Sequence, residues 1–188
     1  SGRGTPGEAV AIKGQSPMQA GISDELYWNL KLVERLVSIG KKRGLTISSY
    51  VPPIRNLEDP NDPLSNWSVG ADYALKGGYV IEIHFDAYGE YGFGSGLIPP
   101  ISANLNDVDE SLAKSFGRFP LFFRGGLGAP RRQIRVLEIG KLEGILEKNL
   151  RNLETRETTL ELIANRIIQA ILLGVAKNKT FSPLPDKE

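Results

Sequence analysis

The chain has no cysteine, one methionine and a single histidine, His84. Without cysteine there is no disulfide framework and no thiolate metal site, so any metal must be held by histidine and carboxylates. An excess of one charge sign is missing too. Against 23 Lys and Arg stand 22 Asp and Glu, for a net charge of +1. That excludes a broad electrostatic pull toward nucleic acid or anionic membrane. The basic residues are scattered, and the Arg131-Arg132 pair is balanced by nearby acids. No run approaches the roughly 18 apolar residues of a membrane span, and no signal-peptide pattern opens the chain. Action outside a cytoplasm would therefore need export or release specified elsewhere. What is present is the profile of a globular protein, with 40% apolar and 24% charged residues in a chain of 188. That length suits one domain with a full core.

Residues 1–22 are rich in Gly, Pro and small polar residues, and read as a long loop with one short strand at Ala9–Lys13. Ser23 is a good helix N-cap, with Asp24 and Glu25 in the first turn, where acids favour the helix dipole. Leu26, Leu30, Val33 and Val37 carry that helix to about Lys42, and Gly44 stops it. Leu45–Val51 is β-branched and reads as a strand; Pro52–Pro63 reads as loop. Residues 65–76 read as a helix ended by Gly77-Gly78, and a strand follows at once. Residues 88–106 are a Gly- and Pro-rich loop whose Tyr88, Tyr91 and Phe93 either line a cleft or plug a core. Asp107 caps a short helix to Phe116, and Arg118–Pro130 is loop. Gln133–Glu138 is a strand, a charged helical segment follows Gly140, and Thr158–Lys177 is an amphipathic helix. Strands alternating with helices predict a single-domain α/β fold, a mostly parallel twisted sheet flanked by helices. The domain spans 1–177, and 178–188 is a polar tail.

The stretch Gly77–Ala87 holds the most chemistry. Tyr79, Ile81, Ile83 and Phe85 share one face at period two; Val80, Glu82, His84 and Asp86 share the other. His84 thus stands at the C-terminal end of a strand, the edge where open α/β sheets bind ligands. A strand-end histidine is also commonly a hydrogen-bonded structural residue, and both readings stand. Glu25 at a helix start and Glu138 at the end of a late strand belong to the same edge. One His and one Glu are good zinc ligands, and a second Glu beside the metal can serve as general base. Glu25 alone reads more often as a surface acid complementing the helix dipole than as a ligand. Glu138, flanked by Leu137 and Ile139, is costly in an apolar strand unless paired or metal-bound.

The order of these motifs resembles the zinc-dependent N-acetylmuramoyl-L-alanine amidases of the amidase-3 type, a group of cell-wall hydrolases and phage endolysins. Ser23-Asp-Glu25-Leu-Tyr-Trp-Asn-Leu30 looks like the helix start that carries the family's Glu ligand. Glu82-Ile-His-Phe-Asp-Ala87 looks like its Ile-His-Ala-Asn-Ala strand, with Asp86 in place of Asn. Arg124-Gly125 falls where an Arg-Gly pair falls, and Val136-Leu-Glu-Ile-Gly140 resembles the closing Leu-Val-Glu-x-Gly. Gly2-Arg-Gly-Thr-Pro-Gly7 lines up with Gly-His-Gly-Thr-Pro-Gly, but carries Arg3 where the family has its first His ligand. Arginine offers zinc no lone pair. Placing Gly14-Gln15 at that position instead also yields no histidine.

The resemblance implies Zn2+ held by Glu25 and His84, Glu138 as the catalytic carboxylate, and Arg124 as a substrate-binding residue. It implies hydrolysis of the bond between N-acetylmuramic acid and L-alanine of the stem peptide, with peptidoglycan as partner and the cell wall as place of action. The Arg3 departure leaves two protein ligands. It motivates a second expectation, a catalytically disabled amidase-like module that binds peptidoglycan or serves as structure.

Overall fold

The computed structural model describes residues 16–53, 59, 61–86, 92–101 and 104–180, excepting the side chains of Phe123, Arg124 and 178–180. The expected Ala9–Lys13 strand, Arg3, Gln15, Tyr88, Tyr91 and most of the tail lie outside the described residues.

The first helix, α1 (Asp24–Lys42), starts where the sequence predicts. The Ser23 side chain accepts from the backbone N–H of Leu26, and Asp24 and Glu25 occupy the first turn. Gly44, at φ +82°, turns the chain out of the helix. α2 (Asn66–Leu75) is capped by Ser65 and released by Gly77 at φ +84°. It leads into β1 (Ile81–Asp86), followed by β2 (Gly96–Ile98) and α3 (Asp107–Phe116). Two short 3-10 segments, Leu121–Gly126 and Pro130–Arg132, precede β3 (Arg135–Lys141), α4 (Gly144–Arg151) and α5 (Arg156–Thr180).

The α/β class holds, but the expected amidase-3-like fold, with its mostly parallel twisted sheet, does not. Among the described residues the sheet is small, open and mixed, with three strands in the order β1-β3-β2. β1 and β3 run parallel, with Ile83 opposite Leu137 and His84 opposite Glu138; β2 pairs antiparallel to β3. The antiparallel partner lies inside the stretch that local composition marks as loop. β2 has only three residues and a glycine, too few to show a period, yet all three are buried. Gly96 is required there: a Cβ would meet the backbone nitrogen of Phe119 at 2.8 Å. The expected strand Leu45–Val51 does not form, because no described strand pairs with it. Leu45 and Ile47 pack on the core from irregular chain instead.

Smaller corrections are local. β3 runs two residues later at its start and three later at its end than expected. The cap of α3 is Asn106 rather than Asp107. Its side chain accepts from the Asp109 N–H while Asp109 accepts from the Asn106 N–H, a reciprocal capping box. The charged segment after Gly140 becomes α4, and α5 begins at Arg156.

Alternation along the strands divides the core into two layers. Ile83, Phe85, Leu137 and Ile139 pack with Trp28, Leu32 and Leu36 of α1, Leu112 and Phe116 of α3, and Leu160, Ala164, Ile167 and Ile168 of α5. The opposite face places Ile134 and Val136 with Ile98 and Phe119, against Trp67 of α2 and Val80. α3 and α5 approach so closely that a Cβ on Gly174 would lie 2.4 Å from the Val108 Cα. α5 is long and apolar enough to cross a membrane by length and composition, over Arg156–Lys177. Its Leu160, Ala164, Ile167 and Ile168 are nonetheless fully buried in the first layer, as in a core helix.

Candidate functional site

β1 puts Glu82, His84 and Asp86 on the face opposite its core residues Ile83 and Phe85. The in-register parallel pairing sets Glu138 of β3 beside His84 on that same face. A register shift follows between His84 and Asp86 and bends the end of the strand. Glu25 reaches the same point from the first turn of α1: its Oε1 lies 2.9 Å from His84 Nδ1. Glu25, His84 and Glu138, distant in sequence, thus share one edge of the sheet.

Two further residues join them. Glu82 Oε2 is 3.5 Å from His84 Nε2, an ion-pair distance that is long for a hydrogen bond. Its other oxygen, Oε1, accepts from the Asn66 side-chain amide at 2.5 Å. The signal for Glu82 was present in the sequence, since residue i−2 on a strand shares a face with residue i. Asn66, in the first turn of α2, had no such signal. Asp86 serves as a loop anchor: its Oδ2 accepts from the Phe93 and Gly94 backbone N–H groups at 2.5 and 2.7 Å. Phe93 packs edge-on against Phe119 and Phe122. Arg124 lies within the first 3-10 segment; its side chain is outside the described residues, so its expected substrate contact is not placed.

The electrostatics follow from this crowding of carboxylates. Burial opposes charge on His84, but hydrogen bonding to Glu25 and Glu82 and their negative charge outweigh it, raising its pKa well above 6.5. For Glu138, burial dominates. It pushes the carboxyl up to about 7, against the pull of His84 and with help from Asp86, Glu25 and Glu82. Glu138 Oε2 is buried with no hydrogen-bond partner among the described residues. Such an atom costs free energy unless the carboxyl is protonated or a proton, cation or ligand meets it.

The donor types suit zinc: one imidazole, carboxylate oxygens, an orphaned buried oxygen and an excess of negative charge. Glu25 and His84 are the pair that would hold it, and a carboxylate lies beside each ring nitrogen of His84. Among the described residues no group of three or more His, Cys, Asp or Glu is assembled to hold a metal ion. No protein-family model, no curated protein and no solved structure matches the chain.

Proposed function

We propose that the chain is a zinc-dependent hydrolase of the N-acetylmuramoyl-L-alanine amidase type, acting on peptidoglycan at the cell wall. The observation that carries this reading is the meeting of His84, Glu25 and a Glu138 whose buried oxygen has no partner. The reading rests on the site and its motif order and not on the fold, since the small mixed sheet is not that of an amidase-3 protein. Glu25 and His84 would hold the zinc, which would supply Lewis-acid polarisation of the lactyl amide carbonyl and of the attacking water. Glu138 takes the water's proton as the water oxygen attacks the carbonyl carbon. It then gives that proton to the L-alanine nitrogen as the C–N bond breaks. A carboxyl at about 7 is suited to both transfers near neutral pH. Arg124 is assigned a substrate carboxylate of the stem peptide.

A specific observation favours the second reading, a metal-free amidase-like module. Both His84 nitrogens already face carboxylates, so an imidazolium is held between Glu25 and Glu82 without an ion. Elemental analysis of the purified chain beside an Arg3→His version separates the two. About one zinc per chain in the original, with release of L-alanine-bearing peptide from cell walls, is expected of the enzyme. Zinc only in the Arg3→His version identifies a disabled relative, and zinc in neither sinks the metal site.

A further inference from the structure

We infer that Glu82, held by Asn66, is a positioning residue for His84: it takes the Nε2 proton and leaves Nδ1 as the ring's ligand atom beside Glu25. This deepens the zinc reading and rests on it for the role of Nδ1. The two carboxylates that flank the ring are not equivalent. Glu25 Oε1 is 2.9 Å from Nδ1, and no described side chain is bonded to its carboxylate other than His84. Glu82 has one oxygen toward Nε2 and the other fixed at 2.5 Å by the Asn66 amide. An imidazole that binds a metal through one nitrogen keeps its proton on the other, and a fixed acceptor there sets both tautomer and ring orientation. The carboxylate that is already oriented by a second group is the one built for that task.

The surroundings of Asn66 show why it can act as the anchor. It opens α2, immediately after the buried Ser65, whose hydroxyl caps the helix at the Ser68 N–H. About one turn on, Gly70 lets α2 press onto the residue before β3: a Cβ there would meet Ile134 Cδ1 at 2.7 Å. The Asn66 amide is therefore carried by a capped helix packed against Ile134, the residue that leads into β3, and the Glu82 carboxylate by β1. Glu82 is largely buried, and a carboxylate in such a place is tolerated only with partners on both oxygens.

The test exploits His84 being the chain's only histidine, so 15N-histidine labelling yields one imidazole. Asn66→Ala and Glu82→Gln are compared with the unaltered chain for zinc affinity, after thermal unfolding shows that each variant is folded. Asn66→Ala touches neither the ring nor the charge of Glu82, so a Glu82 that merely balances charge would leave the affinity unmoved. We expect both variants to bind zinc about 10- to 100-fold more weakly. In the zinc-loaded chain the 15N shifts should show Nδ1 on the metal and Nε2 protonated. Zinc bound through Nε2, or equal affinity in Asn66→Ala, overturns the inference and leaves the hydrolase reading standing. If the unaltered chain binds no zinc, that reading falls, and the metal-free spectra decide. An Nε2 proton slow to exchange in the unaltered chain and fast in both variants supports Glu82 as its acceptor; the same exchange in all three overturns it.

Discussion

Asp109 and Glu138 both carry carboxylate oxygens away from solvent, and they are treated in opposite ways. Asp109, in α3, is fully buried and fully satisfied. Arg135 holds it from Nε at 2.9 Å and Nη2 at 3.2 Å, the Tyr79 hydroxyl donates at 2.7 Å, and the Asn106 backbone N–H closes the capping box at 3.0 Å. The Arg135 guanidinium also lies over the Tyr79 ring. Burial and the Asp109 charge push the Tyr79 hydroxyl far above its ordinary range, so it remains a donor. Glu138 sits on the same strand as Arg135 and three residues further on, yet one of its oxygens has no partner among the described residues. The first carboxylate joins α3 to the sheet. The second is held in an unfavourable state, the condition in which a carboxyl takes up and releases protons near neutral pH. The contrast separates a structural charge from a candidate working one by satisfaction, not by burial.

The largest effect is expected on the satisfied side. Asp109→Ala leaves Arg135 buried without its partner and should cost about 3–5 kcal/mol, read as a lowered urea midpoint at unchanged slope. A loss below about 1 kcal/mol would mean the network is not what joins α3 to the sheet.

Glu138→Gln should act in the other direction. The folded chain keeps a proton on Glu138 that the unfolded chain releases between pH 4.5 and about 7. Its contribution to stability is therefore complete below pH 4.5 and lost as pH rises to about 7, by about 3 kcal/mol. With a chelator present, Glu138→Gln should unfold at the same temperature as the unaltered chain at pH 4.5 and at a higher one at pH 8. Equal unfolding temperatures at pH 8 would show that the carboxylate is comfortable where it is. If the proposed hydrolase is correct, the same variant loses about 10²- to 10⁴-fold in turnover.

His84 supplies a second limb. Its raised pKa gives stability that is fully present below pH 6.5 and lost as pH climbs through the folded value above it. In metal-free Glu138→Gln the remaining fall in unfolding temperature on the alkaline side should vanish in the double variant with His84→Asn. A persistent slope would place the titrating group elsewhere. The smallest change is expected from Asn106→Ala. It removes the side-chain oxygen that accepts from the Asp109 N–H but keeps the backbone N–H that supports the Asp109 carboxylate, and should cost about 1 kcal/mol by urea unfolding.

Much of this was legible in local sequence. Ser23, Ser65, Gly44 and Gly77 are caps and stops that act within a few residues, so both helices they bound lie where expected. The period of two from Tyr79 to Asp86 separated core residues from site residues because alternation is a property of the strand itself. Leu45–Val51 and Gly96–Ile98 failed in opposite directions for one reason. A strand exists only when another strand pairs with it, and composition cannot say which segments find a partner.

The sequence by itself determined the helices, the α/β class and which residues had chemistry to offer: one histidine and three or four carboxylates at element ends. Only the tertiary structure decided that the sheet is mixed, that Glu25 meets the Nδ1 side of His84, that Glu82 takes the Nε2 side under the hold of Asn66, and that Glu138 lacks a partner for one oxygen. The physical reason is range. Caps, turns and alternation are interactions of neighbours along the chain, whereas satisfaction of a buried charge depends on groups brought together from 16 to 59 residues away.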